Sequence, residues 1–362
     1  MKTEDRLLSL DFFRGLTMFL LIAEFAHIFP YLIVPEFEGN LIYGLGQQLH
    51  HCEWEGLHFW DLIQPFFMFI VGVAMPLSFA KRAAKGDSGK SIISHVLKRS
   101  AILLLLGWAL YCIDPGKIVF RFQNVLAQLS VTYLLAFLVM KRPVWMQISF
   151  SIALLILTEA LYRFFSVGGF DQPFVAGHNF GAWVNLQISG ETGAGNWSMF
   201  NAIPTTAHTI WGVLAGQLLM SSRSGKQKLV RLLVFGLAAL VLGYALSPVT
   251  PIIKRICTST FVLASGGWTL LALAFSYWLI DVLKYRKGVL FFSVVGMNPL
   301  FIYLFAHVGG AALIHKIIYP FSQGLFTWTG DWTTDFITGL LTLSVLWYIC
   351  YWLFKRRVFF RI

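Results

Sequence analysis

The sequence predicts an all-α, polytopic transmembrane bundle of about ten helices, with the N- and C-termini both cytoplasmic. Three observations carry that prediction. Of 362 residues, 57% are hydrophobic and only 12% are charged, whereas a soluble domain carries about 25% charged residues to present a wet surface. Apolar runs long enough to cross a hydrocarbon core of about 30 Å recur along the whole chain. Between them lie short clusters of Lys and Arg, as in cytoplasmic loops. The net charge of +11 is therefore loop charge, and no nucleic-acid partner is expected.

The expected spans, in order, are 8–33, 60–80, 100–113, 124–140, 144–163, 204–221, 229–247, 258–282, 289–313 and 334–354. The third is short, so it is either tilted or extended by residues of the loop before it. The first holds Asp11, Arg14 and Glu24 and lacks a small-residue cleavage site, which argues against a cleaved signal peptide. With the N-terminus inside, the inner segments are 1–7, 81–99, 141–143, 222–231, 283–288 and 355–362, and they hold most of the 28 basic residues. A wrong helix count would scramble that alternation. The whole chain, 1–362, is read as one transmembrane domain with long outer loops at 34–59 and 164–203. The second loop, rich in Gly, Asn and aromatics, is expected to be an ordered lid or a substrate-facing surface. The four cysteines form neither a CxxC pair nor a zinc spacing, and no disulfide is indicated.

An ionisable side chain inside a bilayer is costly unless it is paired or lines a cavity, so each one is a functional candidate. The first span alone carries Asp11, Arg14, Glu24 and His27. Asp11 and Arg14, at i and i+3, share one helix face near the cytoplasmic end. They are read as a packing ion pair, or as a pair whose Arg14 also meets an anionic cofactor. The densest cluster is the outer segment holding His50, His51, Glu53, Trp54, Glu55, His58 and Asp61. It lacks HExxH or another recognised ligand spacing, so no metal is expected. A general base is more plausible, because imidazole titrates near neutral pH and a neighbouring carboxylate can orient it. Spacing alone does not choose among His50, His51 and His58. Gln64, Gln128, Glu159, Asn201, His208, Asn298 and His307 add polar groups to other spans, and Pro204 and Pro299 start or kink helices. Together these residues describe a polar cavity in a helical bundle. A transporter of a small polar solute and an intramembrane transferase both need one.

Specific motifs then favour the second class. Arg6-Leu-Leu-Ser9-Leu10-Asp11-Phe-Phe13-Arg14-Gly15 resembles the R-x-x-S-[LV]-D-x-F-R-G motif of the heparan-α-glucosaminide N-acetyltransferase family and its bacterial relatives. His51-Cys-Glu-Trp54-Glu-Gly56-Leu57, with Asp61-Leu62, Pro65, Phe69-Ile70 and Gly72, resembles that family's H-x-x-W-x-G-L-x-x-x-D-L-x-x-P-x-F-x-F-I-x-G. Val125-Leu126, Gly212 to Gly216, and Gly296-Met297-Asn298-Pro299 with His307 fall in the family's order, so the resemblance runs from residue 6 to 362. It implies a multi-pass enzyme of a bacterial inner membrane that moves acetyl from cytoplasmic acetyl-CoA to a glucosamine-type amine on the outer side. It also implies that His51 is the catalytic histidine.

The catalytic candidates are His51 with Asp61, Asn298 and His307, of which the resemblance matches Asn298 and His307 to polar positions lining the family's cavity. Asp11, Arg14, Arg121 and Gln128 are the candidates for holding acetyl-CoA, and Glu24, Glu53 and Trp54 those for the acceptor. Expected partners are an amino-sugar or glycan acceptor, acetyl-CoA and the lipid bilayer, with a homodimer as the candidate assembly. Three departures stand out. A family asparagine at the end of the first span falls near Glu24-Phe25, V-L-Q-R reads Val125-Leu126-Ala127-Gln128, and D-P-E-G is replaced by Gly195-Asn196-Trp197-Ser198. A transporter, or an O-acetyltransferase of envelope glycans, is the alternative reading. Direct transfer and an acetyl-histidine intermediate both remain open.

Overall fold

The structure, a computed structural model, describes residues 7–360 and 362. Arg6, which opens the first motif, lies outside the described residues, as do Lys2 and Arg361 of the inner basic set. The described chain forms fourteen α-helices: α1 (Leu8–Phe25), α2 (Leu41–Gln48), α3 (Ile63–Ala84), α4 (Gly89–Ile113), α5 (Val125–Val139), α6 (Val144–Phe164), α7 (Phe180–Ser189), α8 (Thr206–Met220), α9 (Gly225–Ala245), α10 (Ser259–Tyr277), α11 (Val289–Gly296), α12 (Pro299–His307), α13 (Gly310–Phe326) and α14 (Asp331–Lys355). The extended pairing among the described residues is one isolated antiparallel bridge, Glu55 to Ile253. The all-α class follows. The chain divides into two compact units.

The first unit holds residues 1–51, 58–63 and 276–362, and α1 packs along α11 within it. That contact is set by glycine. A Cβ on Gly15 would sit 2.1 Å from the Phe292 carbonyl oxygen, and one on Gly296 would sit 2.7 Å from the Gly15 nitrogen. Small residues allow such backbone approach where lipid supplies no hydrophobic drive between helices. α1 ends at Phe25 rather than running to 33, because His27 turns to φ 56 and Pro30 and Pro35 open short 3₁₀ turns. The ninth expected span is likewise two helices, α11 and α12, bent by 68°. Pro299 has no N–H to continue the ladder, and Asn298 before it leaves helical geometry at φ −126 and ψ 52. The Asn298 amide then donates to the Val358 carbonyl at 2.9 Å and accepts the Phe360 N–H at 2.9 Å, pinning the C-terminal segment.

The second unit holds residues 52–57 and 64–275. Its helices also meet at glycines: a Cβ on Gly72 of α3 would lie 2.0 Å from the Thr209 oxygen of α8, and one on Gly212 would lie 2.2 Å from the Phe69 oxygen. Met75, Phe79, Ile92, Val96, Tyr133, Ile210 and Val213 pack beside that seam into one buried cluster. α4 starts at Gly89, capped by Ser88, so the short third span is extended by the preceding segment, as one of its two readings required. The 164–203 loop is ordered. It contains α7, and Asn185 ties it together by donating to the Thr192 and Trp197 carbonyls, both at 2.8 Å, and accepting the Met199 N–H.

Six helical stretches are long and apolar enough to cross a membrane, and the bent pair α11–α12 makes a seventh. α1, α5 and α8 stand at the other three expected spans. α1 carries Asp11, Arg14 and Glu24, and α5 and α8 have 15 residues each, against about 20 for a straight crossing. Large apolar side chains stand exposed along α9, including Leu233, Val234, Phe235, Leu237 and Val241, as they would be toward lipid.

Candidate active site

The site in the first unit is built from the stretch between α2 and α3. Asn40 caps α2 by accepting the Tyr43 N–H, and α2 delivers His50 and His51 at its end. A 3₁₀ turn, Phe59–Leu62, presents Asp61. Gln48 ties the two together, its side-chain oxygen accepting the Phe59 N–H at 3.0 Å.

The three candidate histidines are now distinguished. His50 Nδ1–H donates to the Gly46 carbonyl at 2.8 Å, and His58 Nδ1–H donates to the His50 carbonyl at 3.0 Å. Both rings are locked on backbone. His51 instead donates Nδ1–H to Asp61 Oδ1 at 2.8 Å. Asp61 is fully buried, while the His51 side chain is 37% exposed. The other Asp61 oxygen accepts the His58 N–H at 2.9 Å, so the carboxylate is held at both oxygens and cannot swing. With its proton on the Asp61 side, the neutral His51 ring carries its basic lone pair at Nε2. A half-exposed imidazole backed by a buried carboxylate is the arrangement of a general base or an activated nucleophile.

Behind it lies a partner that sequence spacing did not reveal. Trp60 is buried, and its indole N–H donates to Glu24 at 3.0 Å, while its ring meets Phe29 edge-on at 4.9 Å. Glu24, expected at the acceptor, is thus engaged with the residue next to Asp61. His307 donates Nδ1–H to the Tyr303 carbonyl at 3.0 Å and meets the Phe25 ring at 4.6 Å. Asp11 and Arg14 form the expected ion pair at 2.6 Å. Asp281 joins this end of α1 by accepting the Ser9 N–H, a contact across 272 residues that no spacing could signal.

Trp54, Glu53, Arg121 and Gln128 belong to the second unit. Trp54 donates its indole N–H to the Phe174 carbonyl at 2.8 Å and packs on the cluster of Tyr162, Phe180, Ile253 and Ile256. Glu53 is exposed. Arg121 pairs with Glu191 of the 164–203 loop. Gln128 is buried, accepts from Gln64, and donates to the Gln123 carbonyl at 2.8 Å. Among the described residues, no three His, Cys, Asp or Glu side chains converge as a metal site. All four cysteines are free thiols.

A family model described as heparan-alpha-glucosaminide N-acetyltransferase, catalytic, matches residues 6–244. The chain belongs to that family. The match takes in α1, the His51–Asp61 segment, α3 to α8 and all but the last residue of α9, and it stops before Asn298 and His307. The heparan-alpha-glucosaminide N-acetyltransferases of Mus musculus and Homo sapiens are each 30% identical to it, over 138 and 137 residues. Those stretches cover 36% and 35% of this chain but only 18% of either relative. The chain is a multi-pass, helical membrane protein of this family.

Proposed function

We propose that the protein is a transmembrane acyltransferase that moves acetyl from cytoplasmic acetyl-CoA to the amino group of a glucosamine-type sugar on the outer side of a bacterial inner membrane. The whole chain serves as one transferase domain, with the loops 34–59 and 164–203 shaping the acceptor site. One observation carries the reading: the His51–Asp61 pair, inside a motif of a family named for N-acetyl transfer.

His51 Nε2 takes a proton from the acceptor amine as the nitrogen attacks the thioester carbonyl. Asp61 holds the ring and balances the imidazolium that forms. The tetrahedral intermediate then expels the CoA thiolate, which recovers the proton from His51, leaving an amide and CoA-SH. In the other route His51 itself accepts acetyl and passes it on. His307 is the candidate donor to the developing oxyanion. Asn298, whose amide is spent on Val358 and Phe360, fits an anchoring role better. Arg14, Arg121 and Gln128 are engaged with protein partners, which favours structural roles for them over direct contact with the donor.

Purified protein given labelled acetyl-CoA and glucosamine should form N-acetylglucosamine, an amide stable to mild alkali. An alkali-labile product would make the acceptor a hydroxyl. Solute uptake into vesicles without acetyl-CoA, unchanged in His51→Ala, would make the protein a transporter.

A further inference from the structure

In the second unit, α4 buries only one side. Ile92, Val96, Ser100, Leu103 and Gly107 form that side, and the helix packs along α5. Against its other side lies a cavity of about 550 Å³, lined among the described residues by Lys90, Ile93, Ser94, Leu97, Lys98 and Ala101. These six fall in two parallel rows at i, i+4 spacing. Lys90, Ser94 and Lys98 make a polar row, and Ile93, Leu97 and Ala101 an apolar one beside it. Ile93 and Leu97 are 50% and 56% exposed. The one acid in the stretch 81–113, Asp87, is committed to Arg82 at 3.0 Å. Neither lysine of the cavity therefore has an ion-pair partner among the described residues.

The length of α4 places this cavity at the edge of the bilayer. Its 25 residues span about 37 Å, about 7 Å more than a hydrocarbon core. Lys90, His95, Lys98 and Arg99 all lie in its first half, so the excess is at that end and the boundary passes near Ser94. Lys98 starts about 6 Å deeper, one turn on. Helical side chains lean toward the N-terminus, so its ammonium reaches back to the headgroup level beside Lys90. Two unneutralised cations there attract an anionic headgroup, whereas a zwitterionic one brings its own ammonium. We propose that this groove holds one anionic phospholipid, with its phosphate between Lys90 and Lys98 and an acyl chain along Ile93, Leu97 and Ala101. The bare apolar face of α9, with Leu233, Leu237 and Val241, has no such pair of rows and meets lipid without regard to headgroup.

The test counts lipids on the purified full chain by native mass spectrometry, with phosphatidylglycerol and phosphatidylcholine titrated separately from detergent. The wild type should hold one phosphatidylglycerol with a preference of about tenfold or more. Lys90→Gln and Lys98→Gln should each cut that preference by about fivefold, and Lys98→Arg, which keeps the charge, should retain it. Ala101→Trp fills the cavity and should weaken both lipids with the charges intact. Lys226→Gln, exposed at the start of α9, should change nothing. Equal binding of the two lipids by the wild type overturns the site, as does an equal loss in Lys226→Gln or Lys98→Arg. A dimer that Ala101→Trp splits while the lipid preference stays intact gives the groove to a second copy of the chain and overturns it too.

Discussion

At the residue scale, one carboxylate does two jobs. Asp61 orients His51 through one oxygen and ends the loop at His58 through the other. Asp61→Asn keeps an acceptor for the His58 N–H but removes the charge opposite the imidazolium. It should lower kcat by about 10²–10⁴-fold with little change in KM, read by steady-state acetyl transfer beside an unchanged Tm. Cys257 offers an independent check on burial. Desolvation pushes its thiol up to about 12, because the buried thiolate is disfavoured. Below that pH the thiol stays protonated, so at pH 8 a maleimide should label the half-buried Cys52 and Cys112 and leave Cys257 silent until denaturant is added. The sequence made the histidine cluster visible, and the family motif singled out His51. The reason His50 and His58 differ was not legible, since their backbone carbonyl partners depend on how the segment folds. The Trp60–Glu24 bond, 36 residues apart, left no periodicity to find.

At the element scale, helices meet at glycines, so volume rather than polarity decides the packing. Gly15→Val would drive a side chain into the Phe292 carbonyl, which is backbone and cannot move aside. The expected cost is about 1–3 kcal/mol or more, seen as a lower Tm in detergent, whereas Gly44→Ala, in open space on α2, should change little. Hydropathy located most helices to within a few residues, because apolar runs and the charges between them are written directly in the chain. It missed the division of 289–313 into α11 and α12, where one Pro-preceded Asn breaks a run that is apolar throughout. It also missed α2, α7 and most of α13 (Gly310–Phe326), which are too short or too mixed in character to register as runs.

At the scale of the whole molecule, the charge asymmetry sets a direction that length and apolarity do not. If the basic segments face the cytoplasm, a membrane-impermeant maleimide on intact cells should label Asp171→Cys and spare Lys85→Cys, each compared with the parent chain. The reverse pattern would invert the topology and put His51 on the donor side. The most direct test of the central claim is the turnover of acetyl-CoA to acetylated glucosamine by purified His51→Gln and His51→Ala. Both variants should lose at least about 10²-fold in kcat while their Tm and CoA binding match the wild type. Turnover within a few-fold of wild type in those variants would contradict the claim.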